Sequence, residues 1–184
     1  MVGRLRRAAI AVVLASAPTA MLFAPAALAC TGTNLQPTHV NLTRVTAATL
    51  CLIEHERLAY RLEPLRSNDS LRRIGTKQAG EMVIGEYFGD DSLSGWTPMQ
   101  RIEASAYAAR ARGLSAGQNI GWGSGPLATP AAMVHAWMLS PPHREIMLSG
   151  GYRNIGVGIA PAAPRRSTEG LPGATYVVEF ASRG

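Results

Sequence analysis

Apolar and polar positions divide the chain into helices first and strands last. From Asn41 to about Leu62, the residues Val45, Ala48, Leu52, His55 and Ala59 fall near one face at helical spacing. Asn41 or Thr43 is placed to cap this helix, and Glu63-Pro64-Leu65 stops it. A second helix is predicted from about Ser70 to Glu86, capped by Asn68 or Asp69, with Leu71, Ile74, Ala79, Met82 and Val83 as its apolar face. Tyr87 to Gly95 carries turn residues. Thr97-Pro98 opens a short third helix through Ile102 and Ala106, with proline at its first turn. Thr129-Pro130 starts a fourth, carrying Met133, Val134, Trp137 and Met138; Ser140-Pro141-Pro142 ends it, and 143–148 make a further helical turn. Gly117 to Gly125 reads as a short strand or an extended loop, because its glycines do not follow phosphate-loop order and no Lys-Ser/Thr follows. Asn154 to Ile159 alternates and is rich in Val and Ile, and Ala174 to Ala181 is a second strand across a Pro/Gly/Ser-rich loop. Helices followed by strands that pair most easily as a hairpin give an α+β fold with one mostly antiparallel sheet. No internal repeat and no domain linker is visible.

The first residues have a different pattern. Arg4, Arg6 and Arg7 precede an apolar stretch from about Ala8 to Ala26, which ends in Ala27-Leu28-Ala29. Charge, apolar run and small-x-small site in that order are a secretory signal peptide, cleaved after Ala29. Pro18 and Pro25 interrupt the run and argue against a spanning helix. The expected organisation is therefore 1–29 signal peptide, 30–40 N-terminal arm and 41–184 a single domain, exported from the cytoplasm.

Charge changes this picture little. Of 18 basic and 12 acidic residues, three basic ones and no acidic one lie in the leader, leaving a mature balance of +3. No Lys/Arg run with interleaved aromatics occurs, so a nucleic-acid partner is not expected; Arg165-Arg166 reads as a solvated loop pair. The cysteines matter more. Cys30 and Cys51 are the only two, and an even count in an exported chain points to one disulfide, stapling the arm to the first helix. A lipid-carrying Cys30 is the competing reading, but such sites favour Leu three places earlier, where this chain has Ala27.

Cys51-Leu52-Ile53-Glu54-His55-Glu56-Arg57 and Leu62-Glu63-Pro64-Leu65, then Met82 to Phe88, Pro98 to Arg101-Ile102 and Gly117-Gln118-Asn119-Ile120-Gly121-Trp122-Gly123, form an ordered series. It continues in Ala136 to Leu148, with Ser140-Pro141-Pro142-His143-Arg144, and in Tyr152-Arg153-Asn154-Ile155-Gly156-Val157-Gly158. This series resembles the CAP superfamily of cysteine-rich secretory, antigen 5 and pathogenesis-related proteins, in its bacterial SCP-like branch. The resemblance implies a three-layer α-β-α sandwich, secretion, and a small cleft between helices and sheet.

Departures from that pattern bear on chemistry. Where the family usually reads Phe-Ser-His, this chain reads Phe88-Gly89-Asp90; where the family reads Gly-Glu-Asn-Ile, it reads Gly117-Gln118-Asn119-Ile120. His143 is the cleft histidine that is kept. Asp90, Gln118 and His143 are thus the candidate ligand-binding residues. Zinc takes His, Cys or carboxylate ligands, and an amide is a poor one, so no tight metal site and no cofactor are expected. A glutamine cannot exchange protons near neutral pH, and no nucleophile motif occurs. Thr33, Ser92, Ser94 and Ser140 lie in turn contexts, where hydroxyls satisfy backbone groups. Trp122 and Trp137 are expected in the core, and Gln118 and Asn119 are expected to bond loop backbone. The expectation is a monomeric, non-catalytic binding module for a small molecule, lipid, peptide or cell-envelope component. The alternative is a metal-dependent hydrolase using Asp90 and His143.

Overall fold

A computed structural model describes residues 29–165 and 170–184. The expected signal peptide, Ala29 apart, and Arg166 of the Arg165-Arg166 pair lie outside the described residues. Among the described residues, no helix is long and apolar enough to cross a membrane.

Helix α1 spans Leu42–Ala59. Its buried stripe is Val45, Ala48, Thr49, Ile53 and Arg57, rather than the expected face through Leu52, His55 and Ala59. His55 and Ala59 are exposed, because the inward ridge steps by four residues from Val45. The helix ends three residues before the expected Leu62. Arg61 takes a left-handed conformation (φ 58°), Arg61 N–H donates to Leu58 O, and Leu62 N–H donates back to Arg57 O, so the helix closes on its own carbonyls before Pro64. Asn41 stands at the N-cap, but its side chain bonds the arm instead, taking Thr38 N–H and donating to Gln36 O.

Strand β1, Arg66–Ser67, was not expected. Helix α2, Asp69–Ile84, is capped by Asn68, whose Oδ1 accepts from Ser70 and Leu71 N–H. Helix α3 covers Pro98–Glu103 and is opened by a reciprocal Thr97–Gln100 capping box. It stops short of Ala106, where Ser105 Oγ donates to Ile102 O and accepts from Tyr107 N–H. The glycine-rich segment forms an 11-residue strand, β2, Leu114–Ser124. After a 3-10 turn at Gly125–Ala128 come α4, Pro130–Leu139, and α5, Pro141–Met147. Pro141 and Pro142 both end α4 and open α5, since the first helical turn needs no N–H from them. Strands β3, Asn154–Ala160, and β4, Gly173–Arg183, complete the chain.

The sheet runs β1-β3-β4-β2. The expected β3–β4 hairpin is present and antiparallel, β2 pairs antiparallel with the other side of β4, and β1 pairs parallel with β3. Alternation along β4 sorts the core into two layers. Ala174, Tyr176, Val178 and Phe180 pack with Val45 and Ile53 of α1, Met133 and Trp137 of α4 and Met147 of α5. Val177 and Ala181 face α2 and α3, against Ala79 and Met82 and against Leu71 and Ile102. The result is the helix–sheet–helix sandwich. Under α2 the layers meet backbone to backbone: Gly75 of α2 lies on Gly158, and Gly156 lies under Leu71 and Arg72.

Trp137 is buried, its Nε1 donating to Ile120 O at 2.9 Å and its ring edge-on to Tyr176. Trp122 is not a core residue: it sits 37% exposed on β2, the outermost strand on that side of the sheet. Cys30 and Cys51 are joined in a disulfide. The arm is further held by Ala131 N–H donating to Thr33 O.

Candidate functional site

Strand register sets the site. Gln118 of β2 stands directly opposite Glu179 of β4, on the sheet face covered by α2 and α3. Gln118 Nε2 donates to Glu179 Oε1 at 2.7 Å. Gln118 therefore bonds a carboxyl across the sheet, not loop backbone as expected. Asn119 points to the other face and does bond backbone, its Nδ2 donating to His143 O at 2.9 Å.

The segment between α2 and α3 forms the outer wall. It turns sharply after α2, where Glu86 is left-handed (φ 52°) and Tyr87 N–H reaches back to Met82 O. Helix α2 anchors it through Gln78 Nε2, which donates to Tyr87 Oη, and Glu81 Oε1, which accepts from Leu93 N–H at 2.7 Å. From the α3 side, the Arg101 guanidinium donates to the carbonyls of Trp96 and Asp90. These bonds hold Asp90 over β2 with its side chain in solvent. A pocket of about 410 Å³ results, lined by Asp90, Asp91, Thr97, Met99, Ala116 and Gln118.

Asp90 and Gln118 thus share one pocket, and His143 does not line it. His143 stands in the first turn of α5, its Nδ1 2.7 Å from Ser140 Oγ. Its carbonyl accepts a hydrogen bond from Asn119, the neighbour of Gln118. A serine beside a histidine is half of a hydrolytic arrangement. Here the two residues that follow Ser140 are prolines, which carry no N–H to receive a developing oxyanion.

The electrostatics of the site centre on Glu179, which the sequence reading passed over. It is fully buried, and burial pushes its carboxyl up to about 7; the Gln118 hydrogen bond and Arg101 act in the opposite direction, and Asp90 adds to the rise. Two atoms of the pair, Gln118 Oε1 and Glu179 Oε2, are buried without a hydrogen-bond partner. The signal was present: a carboxyl in the middle of the apolar run Ala174 to Ala181. Gln78 and Arg101 were missed too, and nothing in residue type or spacing marks them as loop anchors.

Among the described residues, no three His, Cys, Asp or Glu side chains converge as metal ligands would. The pocket offers two exposed carboxylates and an amide already bonded to Glu179. That donor set does not fit zinc.

Residues 50–180 match the cysteine-rich secretory protein family, CAP. An uncharacterized protein of Bacillus subtilis, YkwD, is 29% identical over 107 residues, which are 58% of this chain and 39% of that relative. The chain thus spans well under half of that relative's length. Three solved structures share the fold. An outer surface protein of Borrelia burgdorferi aligns with a TM-score of 0.54 at 23% identity, over 73% of this chain and 90% of that one. An extracellular SCP-domain protein of Bacillus anthracis aligns with a TM-score of 0.55 at 19% identity, over 77% and 40%. A cysteine-rich secretory protein of Staphylococcus aureus aligns with a TM-score of 0.53 at 20% identity, over 76% and 39%.

Proposed function

The chain belongs to the CAP family, and on that premise we propose that it is an exported, non-catalytic binding module whose ligand enters the pocket between the α2–α3 segment and β2. One observation carries the reading. The pocket brings Asp90 and Asp91 together with an amide, Gln118, and not with a histidine or a cysteine. The amide exchanges no proton, so Gln118 cannot act as a general acid or base. The Ser140–His143 pair lies off the pocket, and neither of the two residues after Ser140 carries an N–H. Extracellular relatives of the same fold and the charge-then-apolar leader support export. The ligand classes that fit are a small molecule, a lipid headgroup, a peptide or a cell-envelope fragment.

The test has two arms. Binding of envelope fragments, lipids and peptides is followed by chemical shift changes at Gln118 and Asp90. Asp90→Ala and Gln118→Ala should weaken binding at least tenfold. Hydrolysis of ester and amide substrates, with and without added zinc, should be absent. Turnover that His143→Ala abolishes in a folded protein would replace this reading with the hydrolase.

A further inference from the structure

Glu179 and Gln118 present a hydrogen-bonding problem that one proton solves. Gln118 Nε2 donates to Glu179 Oε1 at 2.7 Å, while Gln118 Oε1 and Glu179 Oε2 are buried with no partner. Both atoms are acceptors if Glu179 is ionised, so neither can satisfy the other. A carboxylic acid facing a primary amide has a better arrangement, a closed ring of two bonds. We propose that Glu179 is a proton-binding site that, in mildly acidic solution, carries a proton on Oε2 and donates it to Gln118 Oε1, while Gln118 Nε2 donates to Glu179 Oε1. One proton taken from solvent then satisfies both orphaned atoms.

The surroundings support the neutral form. Among the described residues, no Lys or Arg forms an ion pair with Glu179. Arg101 on α3 is the cation that acts on it; its two terminal nitrogens are held by the carbonyls of Trp96 and Asp90, and its buried Nε donates to no group, Glu179 included. Asp90, in the segment before α3, opposes ionisation. Helix α2 turns Gln78 and Ala79 inward; its Asp69, Arg72, Arg73 and Lys77 are exposed, and half-buried Glu81 is engaged by Leu93 N–H. Glu103, the other charge on α3, is exposed. Strands β2 and β3 contribute no titratable group, and the next charge on β4 is Arg183 at its far end. An ionised Glu179 would be a buried charge with one hydrogen bond, which is costly.

The ring occupies the amide oxygen and one of the two N–H groups of Gln118. If the pocket binds as proposed above, the second N–H is what Gln118 offers a ligand, and losing the proton frees the amide to turn. The proton site itself needs no ligand, so its test stands apart from that reading.

The folded-state value lies above that of the unfolded chain. The native protein therefore holds an extra proton between the ordinary carboxylate range and about 7, and stability falls as pH rises through that window. Two measurements on the purified protein check this. The side-chain carboxyl carbon of Glu179 should titrate near neutrality by nuclear magnetic resonance, and the Gln118 amide protons should shift with the same midpoint. Denaturation midpoints of the wild type should fall from about pH 5 to about pH 8, and E179Q should lose that slope. If E179Q does not fold, the resonance titration decides alone. A Glu179 carbon that titrates in the ordinary carboxylate range, or equal slopes in both proteins, overturns the proposal.

Discussion

Arg57 fastens α1 to the C-terminal end of α5 and the turn that follows it. Its guanidinium donates to the carbonyls of Met147, the last residue of α5, of Ser149 just after it, and of Glu63, beyond α1. Its side chain is buried among these carbonyls. Arg57→Ala should cost about 3 to 5 kcal/mol in chemical denaturation, and Arg57→Lys most of that, because one ammonium cannot span three acceptors. Glu54 acts beside it, taking Leu65 N–H at 3.0 Å; burial raises its carboxyl even so. The sequence showed these two only as part of a family resemblance, since a charged residue on a helix gives no sign of pointing inward. Glu179 was more readable. Thr175, Val177, Glu179 and Ala181 fall on one side of an alternating strand, and a carboxyl in such a row has to meet a partner.

Helix α2 shows how glycines set the spacing of elements. A Cβ on Gly156 would meet the backbone of Leu71 and Arg72, and one on Gly158 the backbone of Gly75 and Thr76. Gly158→Ala should therefore destabilise by about 3 kcal/mol. Gly80 lies on the same helix with nothing within 4 Å of its would-be Cβ, so Gly80→Ala should stabilise by up to about 1 kcal/mol. Opposite signs in paired urea titrations would establish that contact, not propensity, governs the seam; a loss at both positions would refute it. Most helices were legible from caps and stops: Asn68, Thr97 and Thr129 each accept a hydrogen bond from the helix they open. Strand β2 was legible only as one of two alternatives, a short strand or an extended loop, because its glycines mimic a loop. Added side chains there would strike Tyr152 at Gly117, Met133 at Gly121 and the Leu127 backbone at Gly123, so the composition that hides the strand is what lets its neighbours approach.

At the scale of the molecule, the order of helices before strands carried the α+β architecture, and two cysteines carried the staple. The position of β1 was not available, because a parallel pairing of two residues leaves no periodicity to read. Nor was the separation of His143 from the Asp90–Gln118 pocket, which depends on which face of β2 each residue takes. The Cys30–Cys51 link closes a loop across 21 positions, and its reduction should lower stability by roughly 3 kcal/mol. Thermal unfolding with and without reductant measures this, and an unchanged midpoint would mean that hydrogen bonds alone hold the arm. The glycine seam has a mechanical consequence as well. Where Gly75 and the Leu71–Arg72 backbone rest directly on Gly158 and Gly156, no side chain cushions α2 on β3, and that seam resists rocking of the helix. Breathing of the Asp90–Gln118 pocket then falls to the 85–97 segment, pinned at Gln78, Glu81 and Arg101 like a shutter on three latches. The rate at which a ligand leaves would then be set by those latches rather than by the sandwich behind them.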